Sequence, residues 1–414
     1  MNFQKLDHYL ATLGEEYGLK GFDCKVMQEH KVLYRKSWGY SDYACSTPVS
    51  DNDLYDVYSC TKVITMTAAM QCVEAGLFGL DDKVEKYIPS FGTMTVSEDF
   101  VPFRWPMRWP TKADRQHPSP SQVTIRQLMT MTSGLSYDLD SEAIRQLLAR
   151  NPEAGTVEIA GAIGEMPLLF DPGTRYSYSL GHDVVGAIIE TVTGMPYREY
   201  LKENIFAPLG LRNMMMHVPE TECGRLSAQY GGVMGSDEIR PMDVGNRYRL
   251  TRNYDSGGAG LACTVDDYIL VLDALANGGV AFNGHHLLRA ESIDEMRRPQ
   301  LNEAALADFA RSGKVGYSYG LGVRTLVDAG SSCSPVGEFG WDGAAGAYAV
   351  IDPENKLSIF YAQEVLGMLK SYNEIHPTLR DLVYECLEDR GQDCARNKRR
   401  LVYENIAGRI FISQ

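Results

Sequence analysis

Leu54-Tyr55-Asp56-Val57-Tyr58-Ser59-Cys60-Thr61-Lys62-Val63-Ile64-Thr65-Met66-Thr67 is the stretch on which the fold turns. Leu54 to Tyr58 reads as an extended segment, and at Ser59 the period changes. Val63, Thr67, Met70, Val73 and Leu77 fall on one helical stripe, which Gly76 and Gly79 close. A serine at a helix start stands where backbone N–H groups lack intrahelical partners and the dipole favours negative charge. A developing oxyanion is stabilised there. Ser59-Cys60-Thr61-Lys62 is also the chain's one Ser-x-x-Lys. Three residues is just under one turn, so Lys62 shares a face with Ser59 and can reach its hydroxyl. A lysine buried beneath a pocket loses solvation, its pKa falls, and it can serve as a general base. As a bare pattern Ser-x-x-Lys also arises by chance, and an N-cap serine is common.

Upstream, Leu6, Leu10 and Leu13 recur at helical spacing and Lys31 to Lys36 alternates as a strand does. Downstream, a stretch from Val101 to Ser121 carries prolines at 102, 106, 110, 118 and 120, which excludes a regular helix or inner strand. Trp105 and Trp109 on it are candidates to wall an acyl pocket, an ordinary surface connection being the alternative. Helical patterns run from Thr124 to about Leu211, punctuated by Gly134, Pro172-Gly173, Gly194 and Pro208. Ala347 to Ile351 and Leu357 to Tyr361 are apolar runs joined by Asp352-Pro353-Glu354-Asn355, a hairpin signal. A last helix is predicted over roughly His376 to Leu387. Strands at both ends with helices between imply an α/β fold of mixed type, with one sheet built from the two termini and a helical lobe inserted. The predicted division is a single domain, with an α/β lobe from about 1–65 and 255–414 and a helical lobe over about 66–254.

Two further segments raise the standing of Ser59. Phe170-Asp171-Pro172-Gly173-Thr174-Arg175-Tyr176-Ser177-Tyr178-Ser179-Leu180-Gly181 leads into an amphipathic helix, Asp183 to Thr193. Glu338-Phe339-Gly340-Trp341-Asp342-Gly343-Ala344-Ala345-Gly346 introduces the Ala347 strand, with glycines where a backbone must approach a ligand. With these the sequence resembles the serine β-lactamase and penicillin-binding family, in its class C-like branch that includes the family VIII carboxylesterases. Three motifs align in order: Ser59-x-x-Lys62, Tyr178-Ser179-Leu180 and Trp341-Asp342-Gly343. Thr124 to Leu128, Thr132 to Leu135 and Ser256 to Leu261 support them, and the resemblance covers about residues 5 to 365.

The resemblance implies an antiparallel sheet flanked by helices, with Ser59 attacking a carbonyl to form an acyl-enzyme. Lys62 and Tyr178 would share the proton shuttling, and the amides of Ser59 and Ala344 would form the oxyanion hole. Leu180, Trp341, Asp342 and Gly343 would be substrate-binding. Two positions depart from the β-lactamase pattern. The second motif usually ends in Asn, which contacts the substrate's side-chain amide, and here ends in Leu180. The third usually begins with Lys, which helps hold the substrate carboxylate, and here begins with Trp341 followed by acidic Asp342. A pocket carboxylate left unscreened repels an anion. The Trp-x-Gly form is that of the carboxylesterase branch, so an uncharged small ester or amide is the expected substrate. The alternatives are a β-lactamase or D-Ala-D-Ala carboxypeptidase, and a non-catalytic binding protein of the same fold.

Composition excludes other classes. At 414 residues, 44% hydrophobic and 23% charged, the chain can bury a large core. A net charge of −14 argues against a nucleic-acid partner, and the basic cluster Arg396, Lys398, Arg399, Arg400 reads as a solvated helix face. No apolar run approaches a membrane span, and the start Met1-Asn2-Phe3-Gln4-Lys5 is polar where a signal peptide is apolar. Nine scattered cysteines without a Cys-x-x-Cys pair fit a reducing compartment, so a cytoplasmic location with no metal and no cofactor is expected. Cys60 should face away from Lys62. The adjacent His285 and His286 would point apart on a strand. Asp255-Ser256-Gly257-Gly258 is similar to trypsin-like proteases, but those are all-β, and a Gly-rich turn accounts for it. Gly316-Tyr317-Ser318-Tyr319-Gly320 matches the Gly-x-Ser-x-Gly nucleophile elbow. That elbow must open a helix, whereas Leu321 to Leu326 reads as a strand, so Ser318 is not expected to be the nucleophile even with His376 downstream.

Overall fold

The computed structural model describes residues 1–99, 108–233, 238–242 and 245–387. Trp105, Cys394 and the basic cluster at Arg396 to Arg400 lie outside the described residues.

Seven strands, most of them buried along their whole length, build the central sheet. Its strands are β1 (Gly21–Gln28), β2 (Lys31–Gly39), β10 (Tyr317–Tyr319), β11 (Arg324–Leu326), β12 (Phe339–Gly340), β13 (Tyr348–Asp352) and β14 (Leu357–Gln363). They lie in the order β10-β11-β12-β13-β14-β1-β2, antiparallel throughout. The two ends of the chain meet where β1 pairs with β14, Phe22 opposite Gln363 and Gln28 opposite Leu357. The predicted hairpin is β13–β14. On one face Phe22, Cys24, Val26, Val350, Ile359 and Tyr361 join a core with helix α1 (Gln4–Tyr17) and helix α11 (His376–Leu387). On the other, Ala349, Ile351, Phe360 and Ala362 face α8 (Val265–Ala276). Both faces are covered, which is why these strands read as continuous apolar runs. In α1 the spacing of Leu6, Leu10 and Leu13 puts all three fully inside, each contributing about 1.5–3 kcal/mol, and Gly18 at φ 71° ends the helix.

Helix α2 (Thr61–Glu74) departs from the expected stripe. Residues on every side of it are buried, from Thr61 through Met70, and Leu77 lies past its end and is exposed. It is a central pillar and not an amphipathic surface helix, so its apolar residues show no strong periodicity. Against it pack α6 (Gly181–Thr193) and α9 (Ala290–Arg297); α3 (Ile125–Met129), α5 (Thr156–Ile163) and α7 (Tyr197–Leu201) pack on α6, α4 (Glu142–Arg150) on α5, and α10 (Glu303–Ala310) on β10. Thr124 starts α3 with a capping box closed by Gln127. α6 touches α2, α3, α5 and α7.

Small ladders tie the middle together. β3 (Tyr55–Asp56) and β6 (Met214–Met215) flank β9 (Ala262–Cys263), and β4 (Thr95–Ser97) pairs with β5 (Gln116–Pro118). β7 (Tyr230–Gly232) lies between β8 (Ile239–Pro241) and β15 (Val365–Leu366). Among the described residues no helix is long and apolar enough to cross a membrane. Cys24, Cys60, Cys72, Cys263 and Cys386 are buried, whereas Cys45 and Cys223 are exposed.

Candidate active site

Ser59 is delivered by a short chain of backbone constraints. β3 is held to β9, and the next residue, Val57, donates its N–H to Leu261 O at 3.1 Å. Tyr58 then turns the chain with φ 42°, an uncommon angle for a residue with a side chain. Tyr58 to Cys60 form a 3-10 turn that runs into α2. Ser59 is buried, with 8% of its surface still exposed.

Lys62 lies one turn on and is fully buried. Its Nζ donates to Ser59 Oγ at 3.3 Å and to Gly258 O at 2.7 Å. Burial pulls its pKa down to about 7, against an opposing pull from the Asp183 carboxylate. The ammonium also sits 4.7 Å from the centroid of the Tyr178 ring and 5.3 Å from that of Tyr137. The shift favours the free amine, the form that can accept a proton from Ser59.

Tyr178 arrives on an extended loop. Ser177 N–H bonds to Met131 O and Leu180 N–H to Ser136 O, both at 3.0 Å, which lays the second motif along the 131–136 segment. The Tyr178 side chain is hydrogen-bonded to Ser59, and its hydroxyl accepts from Trp341 Nε1 at 3.2 Å. Burial pushes the phenol well above its ordinary pKa, the Ser59 and Trp341 bonds acting the other way. It is therefore a neutral donor and acceptor. Trp341 stacks on it with ring centroids 5.9 Å apart and planes 13° apart. Tyr137 lies 4.9 Å from Tyr178 and 5.5 Å from Tyr248, centroid to centroid, so aromatic surface surrounds the hydroxyls.

The third motif folds back against the segment before Ser59. A Cβ at Gly343 would stand 2.4 Å from Val57 O, so only glycine permits that approach. Gly343 N–H bonds to Ala347 O at 2.7 Å and Gly346 N–H to Gly343 O at 2.9 Å, a tight turn with Ala344 inside it. Cys60 faces this motif, its Sγ donating to Trp341 O at 3.5 Å.

Two of the expected substrate-binding residues, Asp342 and Leu180, are enclosed by other groups. Asp342 does not present a bare carboxylate. It is ion-paired with Lys314 and with Arg324 at 3.1 Å. Burial alone would raise its carboxyl, but those two cations hold it below the usual range. The expected repulsion of anions is therefore screened at its source. Leu180 is fully buried in the main core, because it precedes the first turn of α6, and offers no surface to a ligand.

Three residues near Lys62 escaped the motifs. Asp183 is buried and its Oδ1 accepts from Tyr254 OH at 2.7 Å and Ser256 Oγ at 2.6 Å. Gly258 separates it from Lys62: a Cβ there would be 2.6 Å from Asp183 Oδ2 and 3.4 Å from Lys62 Nζ. Tyr137 completes the aromatic wall. The Gly-rich turn at Ser256 to Gly258 is thus an acceptor for the lysine, which its sequence alone does not reveal. Ser318 sits within β10 opposite Thr325, and no helix follows. Trp109 is buried and its Nε1 donates to Asp138 O at 2.7 Å. That bond anchors its part of the Pro-rich stretch to the loop just past Tyr137.

Comparison with known proteins gives the family and the fold. The beta-lactamase family model matches residues 6–380. The chain is 30% identical to a lovastatin esterase of Penicillium rubens over 331 residues, covering 74% of this chain and 78% of that one. It is 27% identical to esterase EstB of Burkholderia gladioli over 381 residues, covering 86% and 88%. Among solved structures, EstCE1, described as a hydrolase with promiscuous acyltransferase activity, superposes with a TM-score of 0.75 at 22% identity, covering 92% of this chain and 98% of that one.

Proposed function

Since the chain belongs to the beta-lactamase family and is a serine hydrolase with esterase relatives, we propose that it cleaves small uncharged esters through an acyl-enzyme on Ser59. The observation that carries this is the Ser59 hydroxyl 3.3 Å from a fully buried Lys62 whose pKa is near 7. In the forward step Ser59 Oγ bonds to the ester carbonyl carbon and its proton passes to Lys62, with Tyr178 as relay. The negative charge on the carbonyl oxygen is met by the Ser59 and Ala344 amides. Collapse breaks the bond to the alkoxy oxygen, which takes the proton from Tyr178 as Tyr178 is refilled by Lys62. Water then repeats the sequence in reverse roles, releasing the acid and restoring Ser59.

Steady-state hydrolysis of p-nitrophenyl butyrate, with nitrocefin and a D-Ala-D-Ala peptide as parallel substrates, tests the reading. Ester turnover, with mass-spectrometric recovery of a phosphonate adduct on Ser59, supports it. An adduct on Ser318, or nitrocefin turned over faster than every ester, overturns it in favour of another nucleophile or of a β-lactamase. The reading takes Trp341, Gly343 and Tyr137 as the walls met by the substrate. It keeps the helix-rich segment 66–254 as one lobe of a single domain.

A further inference from the structure

Tyr58 is the residue immediately before Ser59, and its φ of 42° is a strained conformation that persists only where the surroundings hold it. The surroundings do so through a buried polar chain. Tyr58 OH donates to Gln229 Oε1 at 2.9 Å, and Gln229 Nε2 donates to Glu364 Oε2 at 2.9 Å. Glu364 Oε1 accepts the backbone N–H of Asp56 at 2.6 Å, two residues before Tyr58. Asp56 Oδ1 is ion-paired with Arg249 Nη2 at 2.6 Å, and Arg249 also donates to Met216 O at 3.0 Å and Gly260 O at 3.1 Å. Tyr58, Gln229, Glu364 and Asp56 are all buried. The chain therefore grips both ends of the Asp56–Tyr58 segment, one through a main-chain N–H and the other through a phenol, from residues on β14's exit and before β7.

We propose that Tyr58, Gln229 and Glu364 are positioning residues for the nucleophile: their hydrogen-bonded chain holds Tyr58 in its left-handed conformation and so fixes the direction of the Ser59 amide and hydroxyl. None of the three needs to touch substrate. The proposal rests on the reading of Ser59 as nucleophile. It goes further in assigning part of the rate to groups behind the serine. An unsatisfied member would be costly in so dry a site, so the chain acts as a unit and not as three independent bonds.

The experiment is a double-mutant cycle on p-nitrophenyl butyrate hydrolysis with Tyr58→Phe, Gln229→Leu and the pair, plus Glu364→Gln as the conservative variant and Ser59→Ala as control. Tyr58→Phe removes one hydroxyl from an otherwise unchanged ring and should fold. Loss of one buried hydrogen bond's worth of alignment should lower kcat about five- to tenfold with KM within about twofold. Gln229→Leu should match it, and the double variant should lose little more than either single. Glu364→Gln keeps an acceptor for the Asp56 N–H but replaces the acceptor of Gln229 Nε2 with an amide donor, so it should lower kcat about as Gln229→Leu does. A role in stability alone would lower the melting temperature and leave kcat at 25 °C unchanged. That outcome, or losses that simply add in the pair, overturns the proposal. If Ser59→Ala retains activity, the nucleophile assignment itself has failed, a result separable from the behaviour of Tyr58→Phe.

Discussion

At the scale of single residues, Ser59 and Lys62 carry the sharpest expectations. Ser59→Ala should lower ester turnover on the order of 10⁴-fold if the catalytic groups act as a unit, while Ser318→Ala should leave most activity, both read as kcat/KM. Lys62 acts as base only when neutral. With a pKa near 7 in the folded protein, kcat/KM for an uncharged ester should rise with pH through about 7 and level off above it. A profile that falls over that range would remove Lys62 from the role of base. Asp183 supplies the test of cause. Its carboxylate favours the charged lysine, so Asp183→Asn, which keeps an acceptor for Tyr254 and Ser256, should move the rising limb to lower pH. Movement to higher pH contradicts this electrostatic account.

At the scale of elements, the turn Ser256 to Gly258 matters as much as the helix it faces. Gly258→Ala puts a methyl against Asp183 and Lys62, both confined by packing. Displacing a reacting group by a fraction of an ångström to an ångström should cost roughly tenfold to a hundredfold in kcat. Gly79→Ala, whose nearest neighbour would be 3.7 Å away, should be silent, and the pair of kcat values checks the claim. Local elements were legible in sequence where period and punctuation agree: α1 from its three leucines, the β13–β14 hairpin, and α11 at His376–Leu387. The entry to α2 was legible to within two residues, because an extended run gives way to helix spacing; Ser59 itself lies in the 3-10 turn that leads in. The burial of α2 on all sides was not, since that depends on distant elements such as α6 and α9 docking on it. Asp183 and Gly258 were hidden for the same reason. They lie more than a hundred residues from Lys62 in sequence and become its neighbours only when α6 and the turn after Tyr254 dock. Asp342 misled because sequence shows its charge but not Lys314 and Arg324, which come from two other segments to neutralise it.

At the scale of the whole molecule, specificity follows from the charge balance of the third motif. Lys314 and Arg324 screen Asp342, so the site does not repel an anion, but it also offers no free cation from this motif to hold one. A missing charge-assisted contact is worth about 1.5–3 kcal/mol, a roughly ten- to hundredfold preference in kcat/KM. The expected gap between p-nitrophenyl butyrate and nitrocefin is of that size, in favour of the ester. Trp341→Lys should narrow it, and nitrocefin turned over as fast as the ester by the wild type defeats the argument. The pillar position of α2 has a different consequence. Ser59 stands in the turn that enters α2, and Lys62, Asp183 and Gly258 reach each other only through the docking of α6 and the Ser256 to Gly258 turn, so the full site needs all three segments in place. If Ser59 is the nucleophile, ester turnover would report assembly: activity should not outlast the fold, and colour released from a chromogenic ester during refolding should count finished molecules.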